Sequence, residues 1–250
     1  MVETRPLLEV CVESVQGVLA AEAGGADRAE LCTGLAVGGL TPSSAAMRLA
    51  HERAKIPIMA LIRPRAGDFC YSELELEQIR KEIRLAGECG MKGVVVGVLD
   101  TAGGVDAARM RELIALARPM QVTFHRAFDM TLDPRRSLET LIGLSVDRVL
   151  TSGQRQSVLD GLDLVRELVA LAGARIVVMP GAGIGEHNAR KVVEATKARE
   201  IHFTAAVTVE SPMQHRNRDL TAMGPLDLPG EYELCTTDPD RVRAFVQAWA

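Results

Sequence analysis

The stretch GVVVGVLDTAGGVDAARMRELIALARPMQVTFHRAFD, Gly93 to Asp129, contains one complete strand-helix-strand unit. Gly93–Asp100 and Gln121–Asp129 are short apolar runs that end on polar residues, and Asp106–Ala117 between them carries a helical pattern opened by an N-cap Asp. Strands that are almost entirely apolar and separated by helices imply parallel pairing with both faces covered. The same unit repeats along the chain. Further strands are expected at Leu7–Val12, Ala29–Cys32, Ile56–Pro64, Arg148–Gly153, Arg175–Gly181 and Glu200–Ala205, which brings the count to eight. Helices are expected at Ser14–Gly24, Ser43–Ala54, Ser72–Gly90, Pro134–Leu144, Ser157–Leu171 and Glu186–Ala195, with Ser14, Ser43, Ser72, Asp133 and Ser157 as further N-caps and Gly24 and Gly90 as C-caps.

Eight such units in 250 residues predict a single α/β domain spanning residues 1–250, a parallel (β/α)8 TIM barrel. A doubly wound open sheet is the competing fold. It calls for a GxGxxG turn after its first strand, which LLEVCVESVQG (Leu7–Gly17) lacks. The rhythm breaks after the eighth strand, where Val207–Asp238 reads as a long irregular segment before a last helix at Pro239–Trp249.

Composition narrows the function. Net charge is −4, and the basic residues are dispersed rather than gathered in a stripe. With only five Phe, two Tyr and one Trp, the chain offers neither a phosphate groove nor a base-stacking platform, so no nucleic-acid partner is expected. Acidic Glu3 lies early, and no apolar run approaches the length of a membrane span, so a cytoplasmic protein with no membrane contact is expected. Five dispersed cysteines without a CxxC argue against a disulfide framework or a structural zinc site.

In a parallel barrel the active face lies at the C-terminal strand ends. The polar residues expected there are Glu9, Cys11, Glu30, Cys32, Arg63, Arg65, Asp68, Asp100, His125, Arg126, Asp129, Thr151, Ser152 and His202. Strand alternation puts Glu9 with Cys11 on one face and Glu30 with Cys32 on another, so two Glu-x-Cys pairs adorn neighbouring strands. Buried carboxylates need a counter-charge, and Arg63 on the third strand is the natural one, either as part of a working site or as a structural ion pair. The loop Ile62–Ser72 offers Arg63 and Arg65 as an anion clamp, although Arg65 could equally bridge to Asp68. His125, beside Arg126 and near Asp129, is the first choice of general acid/base, with a buried core histidine as the alternative. The turn at Met179–Asn188, with Gly181, Gly183 and Gly185, either cradles a phosphate or simply turns the chain. Carboxylates (Glu9, Glu30, Asp100), arginines and His125 would together suit an enzyme acting by acid/base chemistry on a small anionic molecule, phosphorylated or carbohydrate-like.

LLEVCV (Leu7–Val12), GADRAELC (Gly25–Cys32), GGLTPS (Gly38–Ser43), IRPRAGDFCYS (Ile62–Ser72), GVLD (Gly97–Asp100), TFHRAFD (Thr123–Asp129), VLTSG (Val149–Gly153) and GAGI (Gly181–Ile184) occur in this order. In them the sequence resembles the copper homeostasis CutC family, and the resemblance runs to about Asn217. Within SPMQHRN (Ser211–Asn217), His215 stands where that family often has an aromatic residue. The resemblance implies a (β/α)8 barrel that forms a homo-oligomer, and Cu(I) as the ligand of the thiols Cys11 and Cys32. Soft thiolates suit Cu(I), which accepts as few as two sulfur ligands. Copper ion and small anionic ligand are thus the two expected partners.

Overall fold

A computed structural model of the chain describes residues 5–219, 223 and 230–249. Glu3 and the middle of the segment after the eighth strand (220–222 and 224–229) lie outside the described residues. Eight parallel strands form one sheet: β1 (Leu7–Val12), β2 (Arg28–Leu31), β3 (Ile58–Leu61), β4 (Gly93–Val96), β5 (Gln121–Phe124), β6 (Arg148–Thr151), β7 (Val177–Pro180) and β8 (Glu200–Phe203). Helices α1 (Val15–Gly24), α2 (Ser44–Arg53), α3 (Glu73–Glu88), α4 (Ala107–Ala117), α5 (Pro134–Gly143), α6 (Leu162–Ala172) and α7 (Ala189–Thr196) separate them, and α8 (Pro239–Gln247) follows the last. Ser14, Ser43, Ser72, Asp106 and Asp133 each accept a backbone N–H at a helix start, as their residue types require. Ser157 instead caps a short 3₁₀ turn, Val158–Asp160, ahead of α6.

The strands are shorter than predicted. β3 ends at Leu61, β4 at Val96 and β5 at Phe124, and the residues beyond them belong to loops; Arg126–Met130 coils into a 3₁₀ turn. The segment after β8 is less irregular than predicted. β9 (Ala206–Glu210) and β10 (Glu233–Thr237) pair antiparallel, as their β-branched Val207, Thr208, Val209, Thr236 and Thr237 favour.

Alternation divides the strands' side chains between two cores. Leu8, Val10 and Val12 point outward to the helices, while Cys11, Cys32, Met59, Leu61 and Val95 cluster inside the barrel. The hydrogen-bonded order runs β7-β6-β5-β4-β3-β2-β1-β8, so the barrel is nearly closed, and among the described residues no ladder joins β7 to β8. Charged side chains connect the interior across that seam. Arg28 of β2 donates to Glu9 of β1, to Glu200 of β8 at 2.5 Å and to the Met179 sulfur of β7 at 3.6 Å. Arg148 of β6 donates to the same Glu200 at 3.0 Å.

Removing one member of a buried ion network strands its partners without water. Arg28→Met should therefore lower unfolding free energy by about 3–5 kcal/mol in urea titration. A loss below about 1 kcal/mol would show that the network contributes little to closure.

Candidate functional site in the barrel mouth

At the C-terminal ends of the strands lies a cavity of about 450 Å³, lined among others by Cys11, Glu30, Arg63, His125, Arg126, Gly183 and His202. Its floor is built by register. Cys11 pairs with Glu30 across β1 and β2, and Glu9 pairs with His202 across β1 and β8. Both pairs point inward, so thiol, carboxylate and imidazole converge. Cys11 and Cys32 sulfurs lie 3.8 Å apart, and Cys11 Sγ is 3.9 Å from Glu30 Oε1. Cys11, Glu30 and His202 each present a ligand atom within 4.8 Å of the others, and all three residues are buried.

The two carboxylates behave differently. Burial alone would raise Glu9, but the His202 ring, 2.8 Å away, and the Arg28 guanidinium outweigh it and hold Glu9 at about 2. Glu30 lacks such a partner; burial pushes it up to about 7, the charge of Glu9 adds to the rise, and His202 only partly opposes it. Its Oε2 is buried and has no hydrogen-bond partner. For His202 burial disfavours the charged ring, yet the Glu9 hydrogen bond and the charges of Glu30 and Glu9 raise it above the ordinary histidine value. The Cys11 thiol is pushed well up by its contact with Cys32, by burial and by Glu30.

Several sequence expectations require correction. Arg63 is not the counter-charge of Glu9 and Glu30. It stands beyond the end of β3 and donates to the carbonyls of Val37, Gly39 and Gly67, while Arg28 serves Glu9. Arg65 is not beside Arg63 in the mouth: it folds back onto Glu75 at 2.5 Å, onto Asp68 at 3.2 Å and over the Tyr71 ring. Asp100 does not open on the cavity. Since β4 ends four residues earlier, Asp100 sits in an exposed turn, where it accepts the backbone N–H groups of Ala102 and Gly104. Glu9 lies below the cavity rather than on its wall, and Gly181 is packed under Leu150 and His202 while Gly183 reaches the lining. Arg126 lines the mouth, tied to Asp129 at 2.8 Å and Ser152 at 2.9 Å.

His125 is no ordinary acid/base. Burial, reinforced by the charge of Arg63, drives its pKa down to about 3, so the ring is neutral at working pH. Its Nδ1 accepts the Ala127 N–H at 3.2 Å, which places the ring proton on Nε2.

The sequence profile of the CutC family matches residues 6–207. The chain belongs to the CutC family. It is 47% identical over 239 residues to the human copper homeostasis protein cutC homolog, covering 96% of this chain and 87% of that protein. To a CutC family protein of Mesorhizobium japonicum it is 46% identical over 247 residues, covering 98% and 95%. A crystal structure of a CutC protein from Streptococcus agalactiae superposes with a TM-score of 0.76 at 29% identity, covering 79% of this chain and 98% of that one.

For this CutC chain, sequence reasoning named His202 at a strand end without giving it a role, and it missed Arg28, Arg148 and Glu200. The signal for Arg28 was present. Arg28, Glu30 and Cys32 alternate on one strand face, but starting β2 at Ala29 hid the first of them.

A histidine depressed in the fold favours the native state fully above its unfolded pKa of about 6.5, and that contribution is lost as pH falls toward 3. Nitrogen-15 spectra of the histidine rings at about pH 5 should therefore show ring 125 neutral and protonated on Nε2. A charged ring at that pH would overturn this assignment. His125→Phe should flatten the acid side of the stability profile between about pH 6.5 and 3, against the opposite trend of His202.

Proposed function

We propose that the floor of the barrel mouth binds Cu(I) between Cys11 and Cys32, as a cytoplasmic copper-handling site. The observation that supports it is the 3.8 Å separation of the two buried sulfurs, with Glu30 and His202 beside Cys11. Metal–sulfur bonds are about 2.3 Å long, so two in a straight line would span roughly 4.6 Å. At 3.8 Å the sulfurs favour a bent arrangement, which leaves a third position for a nitrogen or oxygen donor. Glu30 and His202, whose ligand atoms lie within 4.8 Å of the Cys11 sulfur, are the candidate donors on the Cys11 side. Glu9, hydrogen-bonded to His202 Nδ1, fixes the ring's orientation, as carboxylates behind metal-binding histidines commonly do.

The donor set fits a soft monovalent ion. Two thiolates and one imidazole would give the complex one net negative charge, and Arg28 lies one layer below. The five cysteines are all free in the structure, and a reducing compartment would keep them so.

Anaerobic titration with Cu(I) against a strong chelator should show one tight site per chain, lost in Cys11→Ser and in Cys32→Ser and kept in Cys89→Ser. His202→Ala should weaken the site without abolishing it. Equal affinity in the wild type and both thiol variants would remove copper from these sulfurs.

A further inference from the structure

Above the thiols the same cavity carries a second set of polar groups, hydrogen-bond donors that copper ligation does not use. Arg63 is only 7% exposed, and every partner of its guanidinium is a backbone carbonyl: Val37 at 2.9 Å, Gly39 at 3.0 Å and Gly67 at 3.0 Å. Its Nε is buried without a partner, and among the described residues no carboxylate pairs with it. Carbonyl dipoles orient a guanidinium but do not neutralise it, and an uncompensated buried charge is costly. His125 is 5% exposed and also leaves one donor unpaired, the Nε2–H. Both side chains pack on Phe69, whose ring centroid lies 5.2 Å from the Arg63 guanidinium carbon and 4.7 Å from the His125 ring centroid. The space for the imidazole exists because residue 97 is glycine: a Cβ there would stand 2.7 Å from His125 Cε1.

We propose that the cavity is a binding site for a small monocarboxylate, its carboxylate held by Arg63 and the Nε2–H of His125, its body against Leu35, Leu61, Phe69 and Ile184. The charge balance selects this class. One permanent positive charge beside a neutral imidazole matches one negative charge. The N–H groups that Arg63 leaves over and the Nε2–H of His125 suit the two oxygens of a planar carboxylate, whereas a phosphate dianion would bring a second negative charge. The remaining cations at the mouth are already engaged, Arg126 with Asp129 and Arg241 with Glu186. Apolar side chains supply most of the wall, and the volume of about 450 Å³ limits the ligand to a small organic acid.

The test is titration of the metal-free full chain at about pH 7, in a buffer without carboxylates or phosphate, with acetate, lactate, benzoate and inorganic phosphate as probes. Calorimetry and the histidine ring nitrogen spectrum are read together. At least one carboxylate should bind saturably and shift the His125 Nε2 resonance, and phosphate should do neither. His125→Phe keeps the ring's shape and removes its donor, so it should weaken carboxylate binding about tenfold or more. Arg63→Met should do the same, Arg63→Lys should restore part of the affinity, and Arg65→Met, outside the cavity, should change nothing. Absence of a shift with every carboxylate, undiminished affinity in His125→Phe, or preferential binding of phosphate would each overturn the proposal.

Discussion

Everything in the mouth of this barrel rests on Arg28 standing between two carboxylates inside it. A guanidinium with 4% of its residue exposed can stay charged there only because Glu9 and Glu200 both face it. Those contacts also do what the backbone leaves undone. The ladder stops at β7 on one side and at β8 on the other, while Arg28 and Arg148 both reach Glu200 from strands on opposite sides of the seam. The interior is therefore closed by charge where it is not closed by strand pairing.

The same arrangement differentiates two carboxylates that the sequence presents as twins. Glu9 and Glu30 each precede a cysteine by two residues, but the parallel register staggers them. Glu9 stands opposite Arg28 and His202, and Glu30 stands opposite Cys11 and Met59. One is locked as an anion; the other has no cation of its own, and burial raises it to about 7. The register thus turns one repeated motif into a structural anchor below and an unsatisfied oxygen above.

The architecture was legible because it is written in short-range chemistry: apolar runs, helix caps and glycine turns recur in step with the units they bound. The inward pairs were legible too, since alternation alone brings Cys11 and Cys32 to the same interior. Long-range partnerships were not. Which cation meets Glu9 depends on a strand boundary being right to one residue, and Arg28 fell just outside the predicted β2. Asp100 was placed on the cavity by assuming that the apolar run Gly93–Leu99 is all strand, although the chain leaves the sheet at Val96 and turns outward. Arg63 is the expected partner of Glu9 and Glu30 because buried carboxylates need a counter-charge; that it is held instead by carbonyls from two loops depends on how Leu35–Gly39 and Gly67 fold, which no periodicity encodes.

Two layers of opposite chemical character follow. Metal-ligating atoms, the sulfurs of Cys11 and Cys32, lie low in the barrel, and hydrogen-bond donors, Arg63 and His125, lie on the wall above. Cys32 is 1% exposed, and Cys11 lines the cavity whose wall Arg63 shares. A permanent positive charge on that wall disfavours a bare cation and favours one that arrives with anionic ligands. The hydrogen-bonding wall and the thiol floor are then not alternatives drawn from one set of residues. They use different atoms, at different heights.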